Sequence, residues 1–358
     1  MGKSVHNVTL ICLAIVFDTF PLSRCLSNSP HLPHKAPLSM PEAIHSLTTA
    51  SGKPVCSYAL GGAARSSQPS SLPYSYYQRL QEMDAINNSN KETVGAPFYF
   101  YYNPHRYPAF MSGILNDICD SEEISRKDIF IASGGTDRSI SSMDQRLNDA
   151  LLYSGGEYLD MFVLEYVCPS ELESEDIQLA IEHAKKWVKD RKVRYIAAST
   201  HSHTVGSILA SYEGIDALML RYNMAHKEAA KSMSLPACLK HKKPVIAFTT
   251  TRWNALQDGH KSWNIAVPST GDCLSFALSD RLQLNVEPNS ESNIEEYEWP
   301  IKIVLHSSRD EKELDEALTG LRSEVSDEEI QEWSNYGDLN WNNDGFDEYP
   351  EEREQNTT

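Results

Sequence analysis

The sequence lacks paired-cysteine motifs, an excess of basic residues and a long apolar run. Its seven cysteines are odd in number and widely spaced, which excludes a disulfide framework and a cysteine-based zinc site. Asp and Glu number 50 against 32 Lys and Arg, which gives a net charge of −18. Nucleic acid is therefore excluded as a main partner, because it requires a basic face. The apolar run Val8–Phe17 is too short to span a bilayer, so we expect no stable membrane span.

The first fifty residues have the composition of a targeting segment. Lys3 precedes Val8–Phe17, whose length suits the apolar core of a signal peptide. From Thr19 to Pro41 there is no acidic residue, and serine and proline are frequent. This order resembles the two-part plastid addresses of algae, so residues 1–50 predict delivery to a plastid by a signal plus transit peptide. A plain secretory signal, an uncleaved anchor and a fortuitous apolar run are the alternatives.

The C-terminal end is acidic. Between Glu324 and Thr358, twelve acidic residues accompany one basic residue, Arg353. Segments of this kind are usually solvated. Residues 336–358 are therefore predicted to form a disordered acidic tail, with a specific partner as the alternative.

Between these ends, apolar runs alternate with stretches of helical period. The runs are continuously apolar, which is typical of parallel strands buried on both faces. Eight such runs predict an α/β fold, a (β/α)8 TIM barrel over residues 51–335. The predicted strands are Val55–Leu60, Pro97–Asn103, Ile129–Ser133, Asp160–Val167, Lys192–His201, Ile215–Asn223, Pro244–Phe248 and Ile301–Leu305. Arg281–Tyr297 is polar and irregular and is interpreted as an insertion.

In such barrels the active site lies at the C-terminal ends of the strands. The last predicted strand is followed by His306, Ser307, Ser308 and Arg309, and then by a predicted helix over Asp310–Leu321. Basic and hydroxyl groups beside a helix N-terminus favour an anion. These residues therefore predict a phosphorylated ligand.

Two segments carry a family resemblance. Phe248–Leu256 and Pro268–Cys273 are similar to a divergent branch of the aldo-keto reductases with a TxTRWGxLL…PTAxDC pattern. The resemblance covers roughly Val55–Ser334. It implies the barrel of that family and an NADP(H)-dependent oxidoreductase that acts on a small carbonyl compound.

The same resemblance implies residues that hold the nicotinamide. Ser199 and Thr200 resemble the family's Ser-Asn pair, which holds the carboxamide, with Thr in place of Asn. Tyr222 resembles the aromatic residue that stacks on the nicotinamide ring, although Met219 stands where the family usually has Gln.

It also implies residues that hold the cofactor phosphate. Ser307, Ser308 and Arg309 look like the family segment whose basic residue grips the 2′-phosphate of NADP. Arg309 would inherit that role, because a planar guanidinium pairs well with phosphate oxygens.

The catalytic tetrad of the family, Asp, Tyr, Lys and His, is largely missing. Tyr107 matches the proton-donating Tyr, while Tyr102 takes the place of Asp. Gly134-Gly135 stands where the Lys belongs, and Glu165 where the His belongs. A different acid is then expected, with Glu165, Tyr107 and His105 as candidates. A carboxyl in an apolar barrel mouth has a raised pKa and can donate a proton.

Several interpretations stay open. The favoured one is a monomeric NADP(H)-dependent reductase of a small carbonyl compound. The leading alternative is a catalytically silent NADP-binding barrel that acts as a sensor or interaction protein. Lyase or epimerase chemistry would need a metal or a Schiff-base lysine at the strand ends, which the sequence does not show. For Glu165 the structural alternative is an ion pair with Arg194 or Arg221.

Overall fold

A computed structural model of the protein describes residues 46–62, 68–87, 94–101, 106–120, 124–280, 299–321 and 325–341. The strands are β1 Val55–Gly61, β2 Ala96–Phe100, β3 Phe130–Gly135, β4 Leu159–Leu164, β5 Val193–Thr200, β6 Ala217–Arg221, β7 Val245–Phe248 and β8 Ile301–His306. All pairings are parallel and follow chain order, and β8 pairs with β1 to close the barrel. The predicted (β/α)8 barrel is confirmed. The predicted insertion Arg281–Tyr297, as well as Tyr102 and His105, lies outside the described residues.

Helices cover the outside of the barrel. In the described ranges they are α1 Leu72–Asn87, α2 Pro108–Ser112, α3 Ile140–Tyr153, α4 Pro169–Glu173, α5 Asp176–Lys189, α6 His203–Ala210, α7 Leu235–Lys240, α8 Thr270–Ser279, α9 Glu311–Gly320 and α10 Asp327–Asn340. Serine hydroxyls begin several of them. Ser269 caps α8 in a reciprocal capping box with Asp272, and Ser202 accepts a hydrogen bond from the amide of Val205 in α6. No helix of the described part is long and apolar enough to cross a membrane.

The core has two layers, because successive strand residues point to opposite faces. One cluster, here called the inner cluster, fills the barrel. Its members on the strands are Ala59, Phe98, Phe100, Phe130, Ala132, Met161, Val163, Ala197, Ala217, Met219, Ile246 and Ile303. A second, larger cluster, here called the outer cluster, lies between the strands and the helices. The barrel interior is thus a packed core, and chemistry is left to its ends.

The N-terminal end of the barrel is closed by residues just before β1. Leu47 is buried in the inner cluster, and Thr49 is also buried. The Arg194 guanidinium donates hydrogen bonds to the carbonyl oxygens of Thr48 and Thr49, at 2.7 and 3.0 Å. Residues 46–50, which the sequence analysis placed in the predicted targeting segment, therefore lie against the floor of the barrel.

Helix α10 was not predicted, and it packs on loops that follow β6 and β7. Tyr336 is fully buried and donates a hydrogen bond to the Leu256 carbonyl. The buried Lys227 ammonium is paired with Asp338. Helix α10 thus spans residue 335, where the sequence analysis placed the boundary between the barrel and the acidic tail.

Candidate active site

Alternation along the strands decides which predicted residues face the barrel mouth, the open end formed by the C-terminal ends of the strands. On β6, Ala217 and Met219 belong to the inner cluster, whereas Leu218, Leu220 and Tyr222 belong to the outer cluster. Residues two positions beyond an inner residue point into the mouth. By this criterion the inward residues are Glu165, Ser199, Arg221, Phe248 and Ser307. The outward residues are Thr200, Tyr222 and Ser308.

Glu165 is a buried carboxyl at the mouth. It lies one residue beyond β4, and only 3% of its surface is exposed. Its side chain lies over Gly134 of β3, where a Cβ atom would come within 2.8 Å of Glu165 Oε1. Glycine at 134 is required first by the Val163 carbonyl oxygen, which would lie 2.2 Å from that Cβ atom, and it also leaves space for the carboxyl. Among the described residues, Oε1 has no hydrogen-bond partner.

Burial raises the pKa of the Glu165 carboxyl to about 8, although Arg138 and Arg146 act to lower it. Loss of hydration disfavours the charged form of a carboxyl, and these cations do not fully compensate for it. The carboxyl is therefore mostly protonated at neutral pH and can act as a proton donor.

Arg138 cross-links the ends of β3 and β4 without neutralising Glu165. Its guanidinium donates to the carbonyl oxygens of Gly135 and Glu165, and its Nε lies 2.7 Å from a carboxylate oxygen of Glu171. Of the two pairings considered for Glu165, the one with Arg194 is wrong, because Arg194 lies at the barrel floor.

Tyr107 comes to the same end of the barrel. It precedes α2, is 9% exposed, and its ring packs on Gly62, where a Cβ atom would lie 2.8 Å from the ring. The pKa of Tyr107 is raised to about 12, chiefly by burial and also by the charge of Glu165, although Arg106 acts to lower it. The two predicted catalytic residues are thus close enough to influence each other.

Ser199 holds the bend that follows β4. Its hydroxyl oxygen accepts a hydrogen bond from the amide of Tyr166, at 3.0 Å, and Tyr166 has a left-handed φ of 53°. This conformation ends the strand before Glu165, earlier than the predicted end at Val167. The Tyr166 ring stacks on the His201 ring, with the ring centroids 5.2 Å apart. The His201 ring meets the Phe248 ring edge to face, with a centroid distance of 5.1 Å. These rings form an aromatic wall of the mouth.

Thr200 and Tyr222 face away from the mouth. The Thr200 hydroxyl donates to the Val167 carbonyl oxygen at 2.8 Å and accepts from the amide of Ser202 at 3.1 Å. Both Thr200 and Tyr222 are fully buried. Their predicted contacts with a nicotinamide stay predictions, and they would require these side chains to be uncovered.

The environment of Tyr222 shows how firmly its ring is held. Its hydroxyl donates to an Asp280 carboxylate oxygen at 2.6 Å, and its ring packs against Phe276 and Trp299. The inward aromatic residue on the neighbouring strand is Phe248, which the sequence did not single out as a site residue. Because every second residue of a strand points to the same face, the inward position of Ile246 predicts that Phe248 faces the mouth.

The two serines predicted to bind the cofactor phosphate also point to opposite faces of the sheet. Ser307 donates to the carbonyl oxygen of Gly62 at 3.2 Å. Ser308 is fully buried, and its hydroxyl lies 2.9 Å from the Tyr58 hydroxyl in the outer layer. Only Ser307 faces the mouth.

Arg309 lies at the surface beside carboxylates. Its side chain is 57% exposed, and its Nε donates to Glu313 Oε2 at 2.9 Å. Although burial acts to raise the pKa of Glu313, hydrogen bonds from His306 and Arg309 lower it to about 2. Asp310 caps the same helix N-terminus by accepting from the Glu313 amide. Carboxylates thus already occupy the positions that would favour a bound phosphate.

The loop after β7 has a strained backbone. Thr249, Arg252, Trp253 and Asn254 have φ between 52° and 72°, although none is glycine. The Asn223 side chain holds this loop through the Thr249 carbonyl oxygen, at 3.1 Å. Such conformations cost free energy and often occur at functional sites. The loop presents Trp253, which is 57% exposed.

The described residues contain no group of three or more His, Cys, Asp or Glu side chains placed to hold a metal ion. No protein-family model matches the sequence, and a search of curated proteins found no match.

Solved structures, in contrast, share the whole barrel. The glycerol dehydrogenase of Gluconobacter oxydans is 14% identical and has a TM-score of 0.53, over 82% of this chain and 95% of that one. The aldose reductase of Schistosoma japonicum is 13% identical with a TM-score of 0.54, over 81% and 91% of the two chains. An aldo-keto reductase of Brucella melitensis is 12% identical with a TM-score of 0.53, over 83% and 100%.

The chain has the aldo-keto reductase fold. At these identities the likeness concerns the fold, and the residues of the mouth must carry any argument about activity. In this aldo-keto reductase fold, the mouth of the chain holds Glu165 and Tyr107, with Ser199 and Phe248 beside them.

Proposed function

We propose that this protein is an oxidoreductase of the aldo-keto reductase type that reduces a small carbonyl compound, with Glu165 as proton donor. The observation that carries the proposal is the buried Glu165 carboxyl, which points into the mouth with Oε1 unbonded among the described residues. A proton donor works best with a pKa near the working pH. The pKa of about 8 for Glu165 meets this condition better than the value of about 12 for Tyr107.

The fold and the mouth favour a nicotinamide dinucleotide as cofactor. Ser199 and Phe248 are the hydroxyl and the aromatic ring that would hold a nicotinamide there, next to Glu165. When bound, the reduced nicotinamide supplies a hydride to the carbonyl carbon. The Glu165 carboxyl gives its proton to the carbonyl oxygen as negative charge develops on it. The product is an alcohol, and the Glu165 carboxylate regains a proton from solvent.

The pH dependence of the wild-type protein tests the donor. The donor must be protonated for reduction, and the protonated form of Glu165 dominates below its pKa of about 8. We expect kcat/KM for carbonyl reduction to be level below that pH and to fall about tenfold per pH unit above it. Aldehydes, ketones and quinones would be screened with NADPH and NADH, followed by a profile of the best substrate from pH 5 to 10.

A Tyr107→Phe variant provides the matched comparison for this profile. If Glu165 is the donor, kcat/KM of the variant falls above pH 8 in the same way as that of the wild-type protein. A profile that stays level to pH 10 in the wild-type protein, together with loss of turnover in Tyr107→Phe, would assign the proton to Tyr107 instead.

NADP(H) is the proposed form of the cofactor, with Arg309 bound to its 2′-phosphate. The charges around Arg309, however, disfavour a phosphate at this position. Glu313 and Asp310 place negative charge beside the guanidinium. We therefore expect Glu313→Gln to strengthen NADPH binding about tenfold, or about 1.4 kcal/mol, because it removes a carboxylate that competes for Arg309. Arg309→Glu should abolish any preference for NADPH over NADH, as measured by calorimetry.

Lys312 offers a control for simple changes of charge. It is 88% exposed and pairs with Glu316 on the same helix, so Lys312→Glu makes the same charge change as Arg309→Glu a short distance away. Equal effects of both variants would contradict a specific role of Arg309 and would favour NADH or another nucleotide.

A catalytically silent barrel is the second candidate. The outward burial of Thr200 and Tyr222 and the carboxylates around Arg309 favour it. Such a protein would act as a sensor or interaction protein. Nucleotide binding without turnover on the carbonyl panel would support it, whereas turnover with any carbonyl compound would exclude it.

A further inference from the structure

The Arg138 side chain lies beside the proposed proton donor and is only 8% exposed. Its Nη1 donates to the Gly135 carbonyl oxygen at 2.8 Å, and its Nη2 donates to the main-chain carbonyl oxygen of Glu165. Its Nε lies 2.7 Å from Glu171 Oε1. Each of the three guanidinium nitrogens therefore has an acceptor, and none of these acceptors is an oxygen of the Glu165 carboxyl.

Glu171 is itself fixed at the start of α4. Its Oε2 accepts a hydrogen bond from the Cys168 amide at 2.8 Å, as in a capping box. Its Oε1 is the oxygen that meets Arg138, so one carboxylate joins the cap of α4 to the guanidinium. The Glu171 side chain is 17% exposed, and an ion pair shielded from water to this extent is stronger than an exposed one. Glu171 therefore holds the third side of the guanidinium and opposes its charge.

The charged and titratable groups that influence the Glu165 carboxyl lie on several elements. In the described ranges they are Arg138 after β3, Arg146 on α3, Tyr107 before α2 and Tyr166 after β4. Burial raises the pKa of the carboxyl to about 8, whereas the charges of Arg138 and Arg146 act to lower it. Both tyrosines are neutral at neutral pH, because burial raises the pKa of each above its ordinary value. The two arginines are thus the groups that favour the charged form of Glu165.

The effect of the Arg138 charge on Glu165 depends on what else the guanidinium contacts. A cation within a few ångströms of a carboxyl favours its charged form and lowers its pKa by about one to three units. A carboxylate in contact with that cation offsets part of this effect, because two opposite charges in contact act on a third group as a weaker dipole. Glu165 therefore lies beside an ion pair instead of an isolated cation.

We propose that Glu171 is a positioning residue for the proposed proton donor, because it holds the Arg138 guanidinium against the backbone and opposes its charge, so that the Glu165 carboxyl keeps its proton at neutral pH. This inference rests on the proposed reductase function. It adds to that function the group that sets the pH range in which Glu165 can donate.

The first test is the pH profile of Glu171→Gln in the full-length protein, with the best substrate of the carbonyl panel. Glutamine removes the charge and can still complete the capping box, since Glu and Gln both serve at this position. The pKa of Glu165 should fall by about one unit. The ratio of kcat/KM at pH 9 to kcat/KM at pH 5 should then be about tenfold lower than in the wild-type protein. Glu171→Asp keeps the charge and should recover part of this loss.

Glu173→Gln is the matched control, because Glu173 is an exposed residue of the same short helix. It removes the same charge two positions away and should leave the profile unaltered. The effect of Glu171 should also require the cation, so Glu171→Gln should not lower the ratio in an Arg138→Met background. An equal change in Glu173→Gln, or an unchanged effect without Arg138, would contradict the inference.

The free energy of unfolding gives a readout that needs no turnover. The folded protein loses stability as the pH rises from 4.5 to the raised pKa of Glu165, because the unfolded chain releases this proton first. A lower pKa in the folded state ends this loss at a lower pH. The extra stability that Glu165→Gln brings at pH 9 relative to pH 5 should therefore be about 1.4 kcal/mol smaller in the Glu171→Gln background, which is one pKa unit converted to free energy. A purely structural role of Glu171 would leave this difference unchanged.

The two claims fail in different ways. A stability difference that Glu171→Gln leaves unchanged would overturn the role of Glu171, whereas the wild-type pH profile would still test the reductase. A changed stability difference, in a protein that turns over no carbonyl compound or whose pH profile stays in place, would overturn the proposed proton donor and support the role of Glu171. If Glu171→Gln does not fold, as judged by its thermal unfolding, Arg138→Met decides. It should enlarge the stability difference and extend the level part of the profile above pH 8, and no change in either would contradict the inference.

Discussion

Replacing Glu165 with glutamine is expected to lower kcat/KM for carbonyl reduction about 100- to 10,000-fold while making the protein more stable at high pH. The loss of activity follows because an amide cannot supply the proton in place of a carboxyl. The gain in stability follows because burial raises the pKa of Glu165 from 4.5 to about 8. One substitution then moves activity and the free energy of unfolding in opposite directions.

The sign of the stability effect depends on the pH at which the folded and the unfolded protein each release the proton of residue 165. Below pH 4.5 the carboxyl is protonated in the folded and unfolded protein, so ionisation does not affect stability. As the pH rises from 4.5 to 8, the unfolded chain releases the proton and the folded protein keeps it, so the wild-type protein loses stability. Glutamine does not ionise and avoids this loss. We expect Glu165→Gln to exceed the wild-type free energy of unfolding by up to about 4 kcal/mol at pH 9, and by little at pH 5.

Urea unfolding at both pH values, beside the kinetic assay, measures the two effects. Glu182→Gln is the control, because Glu182 is an exposed residue that pairs with Lys185 on α5. It should change neither quantity. A Glu165→Gln protein that keeps full activity would show that the carboxyl is not the donor. A variant that is equally destabilised at pH 5 and 9 would show that the carboxyl is not protonated in the folded state.

The fold could be predicted from the sequence because the relevant signals are long and repeated. Continuous apolar runs such as Ala217–Leu220 can only be buried on both faces, and their alternation with helices leaves few closed arrangements. Glu165 could also be found, since it follows such a run directly. Its position at the mouth needed only the direction of the strand.

The positions of the other candidate site residues could not be predicted in this way, because each depends on the strand face that one residue occupies. Adjacent strand residues point to opposite faces, so Ser199 and Thr200 have different surroundings although they stand together in a motif. The pair Arg309 and Glu313 was visible in the sequence as opposite charges four residues apart on a helix. The buried state of Tyr336 was not visible, because α10 is mostly polar and is held by a few contacts with distant loops.

Removing the carboxylate at the barrel floor is expected to destabilise the protein by about 3–5 kcal/mol. Asp160 is fully buried and accepts hydrogen bonds from Arg126 at 2.7 Å, Arg194 at 2.8 Å and the amide of Ile131 at 3.0 Å. Asp160→Ala would leave two partly buried guanidinium groups without this charge. Urea unfolding at pH 7 would measure the change in the free energy of unfolding.

An ion pair on the surface at the same end of the barrel provides a control, which distinguishes this effect from a general loss of acidic charge. Asp128 contacts Lys53 at 3.1 Å and accepts a hydrogen bond from Ser51, and its side chain is 35% exposed. Asp128→Ala should cost about 1 kcal/mol or less, because water screens an exposed pair. Equal losses in both variants would contradict the role given to Asp160. A large loss in Asp160→Ala alone would show that the floor fixes β3, β4 and β5 together, and these strands position Gly134, Glu165 and Ser199 at the opposite end.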